Sequence, residues 1–293
     1  MTIALFGNNY PEYFSKYIQH LIKRLENEHV KIVMEQNLFS FINDKVRFQK
    51  QPDIFTNHQE LITLEPDFLF SIGGDGTLLN AITYVRDSDI PILGINTGRL
   101  GFISSIAADQ IEKAITDIIK ENFKINERTL LQLNTSKELF SNKNFALNEV
   151  AVLKKDTSSM IKIDAFVDEE FLNTYWADGL VVSTPTGSTG YSLSCGGPII
   201  MPGTNNIIIT PNAPHNLNVR PIVISDSSVI KLKVEDRDQL ALVSLDSRSR
   251  AFESNLELTI SKADFKIKLV QPENNSFTST IRNKLMWGLD KRT

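Results

Sequence analysis

Near residue 126 the spacing of apolar residues changes, and that change limits the folds open to this chain. Before it, short apolar runs alternate with stretches that repeat every three to four residues. Ile3–Gly7, Val30–Met34, Phe68–Ile72 and Pro91–Ile95 read as strands. Tyr13–Glu28 carries Phe14, Tyr17, Ile18, Leu21, Ile22 and Leu25 at helical spacing, and Thr77–Val85 and Asp109–Lys120 also read as helices. Such alternation predicts a parallel sheet with helices on its faces. After Glu127 the chain becomes a series of short β-like runs, from Leu130–Leu133 through Ala146–Leu153, Ile161–Val167 and Leu180–Ser183 to Leu256–Ile260 and Phe265–Val270. Turn residues separate these runs and helical stretches are few, which predicts an all-β, sandwich-like domain. The chain therefore reads as an α/β domain over 1–125 and an all-β domain over 126–270. A last helix, Thr280–Leu289 within residues 271–293, is expected to pack back on the first domain. Phe39 to Leu61 has weak periodicity and reads as a connecting helix or loop.

Bulk properties exclude several classes of function. The 293 residues suffice for two cores. Net charge is −4 and the cations are scattered, which argues against nucleic acid as a partner. No apolar stretch approaches the length of a membrane span, and the N-terminus reads as a first strand, not a signal peptide. The single Cys195 excludes an internal disulfide and fits a cytoplasmic setting. With 4 scattered His and 1 Cys there is no zinc-type cluster and no metal-ligating set is assigned; a cation would be held by carboxylate or phosphate, as Mg²⁺ is.

Two glycine-rich loops carry the chemistry. In the first, Phe68–Ile72 runs into Gly73-Gly74-Asp75-Gly76-Thr77. Bare glycine backbone lets N–H groups approach a phosphate closely. A carboxylate inside such a cradle repels phosphate, which points to a group that works on a hydroxyl or holds a metal. The spacing is neither that of a P-loop nor of the dinucleotide fingerprint. Ligands of parallel sheets bind at the carboxyl ends of strands, where this loop and Asn96-Thr97-Gly98-Arg99-Leu100-Gly101-Phe102 both fall. The second loop follows Leu180–Ser183 and reads Thr186-Gly187-Ser188-Thr189-Gly190-Tyr191-Ser192-Leu193-Ser194. Hydroxyls and bare backbone together suit ribose, phosphate and a base edge.

In that order, Gly73–Thr77, Asn148-Glu149, and Asp178-Gly179 with Thr186–Ser192 resemble the motifs of the NAD kinase family. Leu100-Gly101-Phe102 and Pro214-His215 with Arg220-Pro221 extend the resemblance over nearly the whole chain. The first motif is shared with phosphofructokinases and with diacylglycerol and sphingosine kinases; the second loop singles out NAD kinases. The resemblance implies transfer of the γ-phosphoryl of ATP to the 2′-hydroxyl of the adenosine ribose of NAD. It also implies Mg²⁺ or another divalent cation with ATP, a cytoplasmic homo-oligomer (dimer or tetramer), and an active site between the two domains. A lipid kinase of the same superfamily and a non-catalytic NAD(P)-binding sensor are the alternatives.

The resemblance assigns roles residue by residue. Asp75 is the catalytic group that accepts the hydroxyl proton. Gly73, Gly74, Gly76 and Thr77 meet the ATP phosphates. Asp75, Gly76, Asn148, Glu149, Asp178, Thr189, Gly190, Tyr191, Ser192, Leu193, Ser194 and Ala213 bind NAD. Phe102 either stacks on a base or packs in the core, and Arg248 is a further contact. His215 reads as a loop residue that holds backbone groups. Gly190, Asn80, Trp176 and Arg248 depart from the family pattern, and Trp176 leaves the choice between NAD and NADH open.

Overall fold

The computed structural model describes residues 1–7, 10–98, 101–104, 106–155, 159–236, 239–272 and 276–286. Arg99 and Leu100, and the end of the last expected helix beyond Met286, lie outside the described residues. The chain divides into two compact units, Met1–Glu127 with Ile267–Thr293, and Arg128–Lys266.

In the first unit, strands β1 (Thr2–Gly7), β2 (Lys31–Glu35), β3 (Asp53–Phe55), β4 (Phe68–Ile72) and β5 (Ile92–Ile95) form a parallel sheet in the order β5-β4-β1-β2-β3. Helices α1 (Ser15–Asn27), α2 (Gln36–Ile42), α3 (His58–Thr63), α4 (Asp75–Val85) and α5 (Ile111–Ile119) connect or follow the strands. Helix α1 buries Ile18, Leu21, Ile22 and Leu25 completely, each worth roughly 1.5–3 kcal/mol. They join Ile3, Leu5, Phe70 and Leu93 from the sheet and Ile115 and Ile118 from α5 in one core. Because the strand order reverses at β1 and β4, the switch point of the sheet lies beside the carboxyl end of β4, where Gly73 begins.

The second unit is an antiparallel sandwich. Strand β6 (Phe123–Asn134) leads into it, and β7 (Phe145–Ala146) pairs with β6. One sheet contains β8 (Glu149–Lys154), β11 (Gly179–Ser183), β12 (Asn206–Asn212), β13 (Ile222–Ser225), β15 (Leu240–Leu245) and β16 (Arg248–Glu253), in the order β13-β12-β11-β8-β15-β16. The facing strands are β9 (Ile161–Val167), β10 (Glu170–Ala177), β14 (Ile230–Glu235) and the start of β17 (Leu258–Pro272), in the order β10-β9-β14-β17. Strand β14 shows the required alternation: Ile230, Leu232 and Val234 are buried between solvent-facing lysines and Glu235. Val150, Val182, Ile209 and Val243 from one sheet meet Ile163, Ile230 and Leu258 from the other in a single core.

Several expectations need correction. Residues of the runs Leu256–Ile260 and Phe265–Val270 fall in one strand, Leu258–Pro272, along which the buried positions shift from Leu258 and Ile260 to Ala263, Ile267 and Leu269. The 39–61 region is not a plain connector; it holds the end of α2, all of β3 and the start of α3. Strand β10 and strand β16 were not anticipated, and the last helix, α6 (Tyr191–Ser194) being a single turn, is α7 (Phe277–Leu285). Helix α4 starts at Asp75 instead of Thr77, which puts the carboxylate in its first turn.

Candidate active site

In the first unit the buried run of β4 delivers the chain to Gly73, whose φ of +155° and contact with Thr77 leave no space for a side chain. A Cβ there would lie 2.2 Å from Thr77 Oγ1. Gly73 N–H donates to the Ile95 carbonyl at 2.9 Å, which ties the loop to β5. Gly74 caps α4, and its carbonyl accepts from Thr77 N–H at 3.0 Å and Leu78 N–H at 3.2 Å. Nothing lies within 4 Å of a Cβ built on Gly74 or Gly76. The fold itself does not demand glycine at those two positions, so their bare backbone stands open to a ligand. The start of α4 adds unpaired N–H donors and the positive end of its dipole.

Asp75 is held by main chain that sequence reading did not foresee. Its Oδ2 accepts from Phe102 N–H at 2.8 Å, and its Oδ1 accepts from Ile103 N–H at 3.2 Å and Ser104 N–H at 2.8 Å. Ser104 Oγ closes the arrangement with a 3.3 Å bond to the Gly73 carbonyl. Gly101 is pressed on the carboxylate so closely that a Cβ would sit 1.8 Å from Oδ1. Two donors therefore engage Oδ1 and one engages Oδ2, so Oδ2 keeps the larger spare acceptor capacity. Phe102 is half-buried, and the ammonium of Lys284 from α7 stands 5.1 Å from its ring centre.

In the second unit, Asn148 and Glu149 enter β8 with buried acceptors to spare. Asn148 Oδ1 and Glu149 Oε2 are buried without a hydrogen-bond partner. Such atoms are costly to leave unsatisfied, and both are free to accept from a donor. Burial, then the charge of Asp246, push the Glu149 carboxyl up from 4.5 to about 7, against a stabilising N–H from Tyr191. The second glycine loop packs on this pair: a Cβ on Gly187 would meet the Asn148 carbonyl at 2.1 Å, and one on Gly190 would meet Glu149 Oε2 at 3.0 Å.

The remaining expected residues differ in placement. Tyr191, Leu193 and Thr189 are partly exposed on the loop, Ser194 is exposed, and Tyr191 Oη accepts from Asn212 Nδ2 at 2.8 Å. Ala213 is exposed with a φ of 46°. Asp178 pairs with Lys154 at 2.7 Å, a cation that no motif singles out. Ser192 turns inward, fully buried, with its hydroxyl 2.9 Å from Thr210 Oγ1, so it supports the loop from beneath. Arg248 donates to the carbonyls of Lys143 and Phe145 and lies over the Phe145 ring, so its guanidinium is occupied by the fold. The His215 ring is exposed; the contact at that position is its main-chain N–H to the Trp176 carbonyl at 2.8 Å.

Among the described residues no three His, Cys, Asp or Glu side chains converge as a metal cage. Mg²⁺ commonly keeps waters and is bound through substrate phosphates, so a cation arriving with a triphosphate needs no such cage. No helix among them is long and apolar enough to cross a membrane.

Residues 3–123 match the ATP-NAD kinase N-terminal domain, and residues 147–272 match the ATP-NAD kinase C-terminal domain. The chain is 46% identical over 293 residues to the NAD kinase of Cytophaga hutchinsonii, covering 100% of both. It is 46% identical over 294 residues to the NAD kinase of Flavobacterium psychrophilum, again covering 100% of both. In fold it is similar to yeast NADH kinase complexed with NADH, with a TM-score of 0.87 at 24% identity over 99% of this chain and 89% of that one. It is also similar to an NAD kinase from Archaeoglobus fulgidus in complex with ATP, with a TM-score of 0.75 at 27% identity over 98% of this chain and 99% of that one. Matched in both domains and along its full length, the chain belongs to the NAD kinase family.

Proposed function

We propose that the protein is an ATP-dependent NAD kinase that phosphorylates the 2′-hydroxyl of the adenosine ribose of NAD. The observation that carries the reading is the pair of buried, unspent acceptors, Asn148 Oδ1 and Glu149 Oε2, beneath a loop of hydroxyls and glycines. A ribose offers the hydroxyl donors that such acceptors need, and an amide adds the donor–acceptor pattern of a base edge. Thr189, Gly190, Tyr191, Leu193 and Ser194 contact the dinucleotide from the loop, with Ala213 shaping the pocket sterically. Asp178, oriented by Lys154, accepts from an adenine amino group or a ribose hydroxyl.

Phosphoryl transfer needs positioning and charge stabilisation more than covalent chemistry. Gly74 and Gly76 bring bare backbone to the triphosphate, and the start of α4 supplies N–H donors to it. Gly73 and Thr77 shape that loop. The 2′-oxygen forms a bond to the γ-phosphorus, the bond from that phosphorus to the bridging oxygen of ADP breaks, and ADP leaves. Asp75 accepts the hydroxyl proton, at the Oδ2 that holds one N–H bond rather than two. ATP acts as its complex with Mg²⁺ or another divalent cation, held by the phosphates. A cytoplasmic setting and a homo-oligomer belong to the same proposal; the lone Cys195 fits the first, and exposed Phe171 and Trp176 on the edge strand β10 fit the second.

The test is incubation of the purified protein with ATP, Mg²⁺ and NAD, with the product identified by phosphorus NMR. NADP carrying a 2′-phosphate is expected. NAD bound without turnover would instead support a sensor, and phosphorylation of a lipid alcohol but not NAD would support a lipid kinase.

A further inference from the structure

The main chain of Leu147, Asn148 and Glu149 has every polar group assigned. The N–H groups of all three residues donate to one carboxylate, that of Asp246, at 2.9, 2.8 and 3.2 Å. The Leu147 carbonyl accepts from Thr184 Oγ1 at 2.6 Å, and the Asn148 carbonyl accepts from Thr184 N–H at 2.9 Å. The Glu149 carbonyl accepts from Asp246 N–H at 3.0 Å. Six groups are thus satisfied by two residues, Asp246 and Thr184. The side chains of Asn148 and Glu149 are left out of this network, each with a buried acceptor unspent.

Asp246 reaches this position through its turn. Leu245 pairs with Arg248 across β15 and β16, so Asp246 and Ser247 form a two-residue hairpin loop with a left-handed φ of 53° at Asp246. The residue is partly exposed, but its carboxylate lies against the three N–H groups. Successive N–H groups of this kind make an anion cradle, and here the protein fills the cradle with its own anion.

We infer that Asp246 is a positioning residue for the dinucleotide, holding the Leu147–Glu149 main chain so that the Asn148 and Glu149 side chains meet the ligand in one fixed geometry. This rests on the reading of Asn148 and Glu149 as NAD contacts. The charge of Asp246 has a second consequence, because it opposes the ionisation of Glu149 next to it. The other groups facing Glu149 are the Tyr191 main-chain N–H, which favours the carboxylate, and the Tyr191 phenol and Cys195 thiol, both neutral because burial raises them. Burial pushes the Asp246 carboxyl itself up, against the three N–H groups and the Arg248 charge, which favour its ionised form. The Thr184 hydroxyl shares the positioning work but carries no charge, so the two residues separate geometry from electrostatics.

The experiment is NAD affinity by calorimetry across the neutral range for the wild type, Asp246→Asn and Thr184→Val, with thermal unfolding of each. Wild-type affinity falls as pH drops below about 7, by up to tenfold per pH unit, as Glu149 takes up a proton. Asp246→Asn weakens binding by about ten- to a hundredfold at high pH and moves the inflection to lower pH. Thr184→Val weakens binding by about three- to tenfold and leaves the inflection in place. A folded Asp246→Asn protein with wild-type affinity, or with an unmoved inflection, overturns the inference. If Asp246→Asn does not fold, Thr184→Val decides, and wild-type affinity there overturns it. A wild-type protein that binds no NAD at any pH overturns the NAD reading, and the inference with it.

Discussion

Gly101→Ala is the most demanding perturbation of the base. The added Cβ would stand 1.8 Å from Asp75 Oδ1, 2.4 Å from Cγ and 2.7 Å from Oδ2. Carbon and carboxylate oxygen do not approach within about 3 Å without repulsion, so loop and carboxylate must separate by roughly 1 Å. That shift strains three bonds of 2.8, 3.2 and 2.8 Å to Oδ2 and Oδ1. Each hydrogen bond to a charged group is worth about 1.5–3 kcal/mol, and partial loss of the set destabilises the first unit by ~1–3 kcal/mol. A misplacement of about 1 Å at a reacting group costs on the order of 10²-fold in rate, close to 2.7 kcal/mol. Asp75 is one NAD contact among many, the others lying outside this loop, so KM for NAD should stay within about threefold while kcat falls about a hundredfold. The assay is NADP formation coupled to an NADP-specific dehydrogenase, with thermal unfolding in parallel. A Gly101→Ala enzyme that keeps kcat within about threefold of wild type would show that the Gly101–Ser104 main chain does not orient the base.

Two further outcomes test the neighbouring elements. Gly76→Ala meets nothing within 4 Å and lies inside α4. It should therefore stabilise the fold by about 0.5–1 kcal/mol while raising KM for ATP; an unchanged KM would remove Gly76 from the phosphate contacts. Glu149 has its folded pKa raised from 4.5 to about 7, so the folded state binds its proton more tightly than the unfolded chain does. Stability from this group is present below about pH 4.5 and is lost as pH rises toward about 7. Glu149→Gln should accordingly stabilise the protein by ~1–3 kcal/mol near pH 8 and much less near pH 4.5, measured by urea unfolding; equal changes at both would refute the assignment.

The sequence made visible what depends on long apolar patterns and on glycine. Four of the five parallel strands of the first sheet and most strands of the sandwich follow from runs such as Phe68–Ile72 and Ile161–Val167. The elements that escaped are short or polar. Helix α2 spans 7 residues and α3 spans 6, too few turns for a periodicity to stand out. Strand β10 exposes Phe171 and Trp176, and so lacks the inward alternation that identifies a strand. At the site, glycines and acidic residues were legible because their chemistry is carried by residue type. The N–H groups of Phe102, Ile103 and Ser104 were not, since every non-proline residue has one and only the fold aims it. Asp246 was hidden for a related reason: its target is main chain 97 to 99 residues away in sequence. Ser192 and Arg248 show the converse, two side chains of the right chemistry that the packing turns to structural use.

The base assignment is tested most directly by Asp75→Asn, compared with wild type for NADP formation and NAD affinity in the same buffer. The amide keeps the size of the carboxylate but cannot take the 2′-hydroxyl proton. Turnover should be lost by at least about 10²-fold, with NAD affinity changed by no more than about tenfold, or 1.4 kcal/mol. An Asp75→Asn protein with near-normal kcat would contradict the claim that this carboxylate is the proton acceptor.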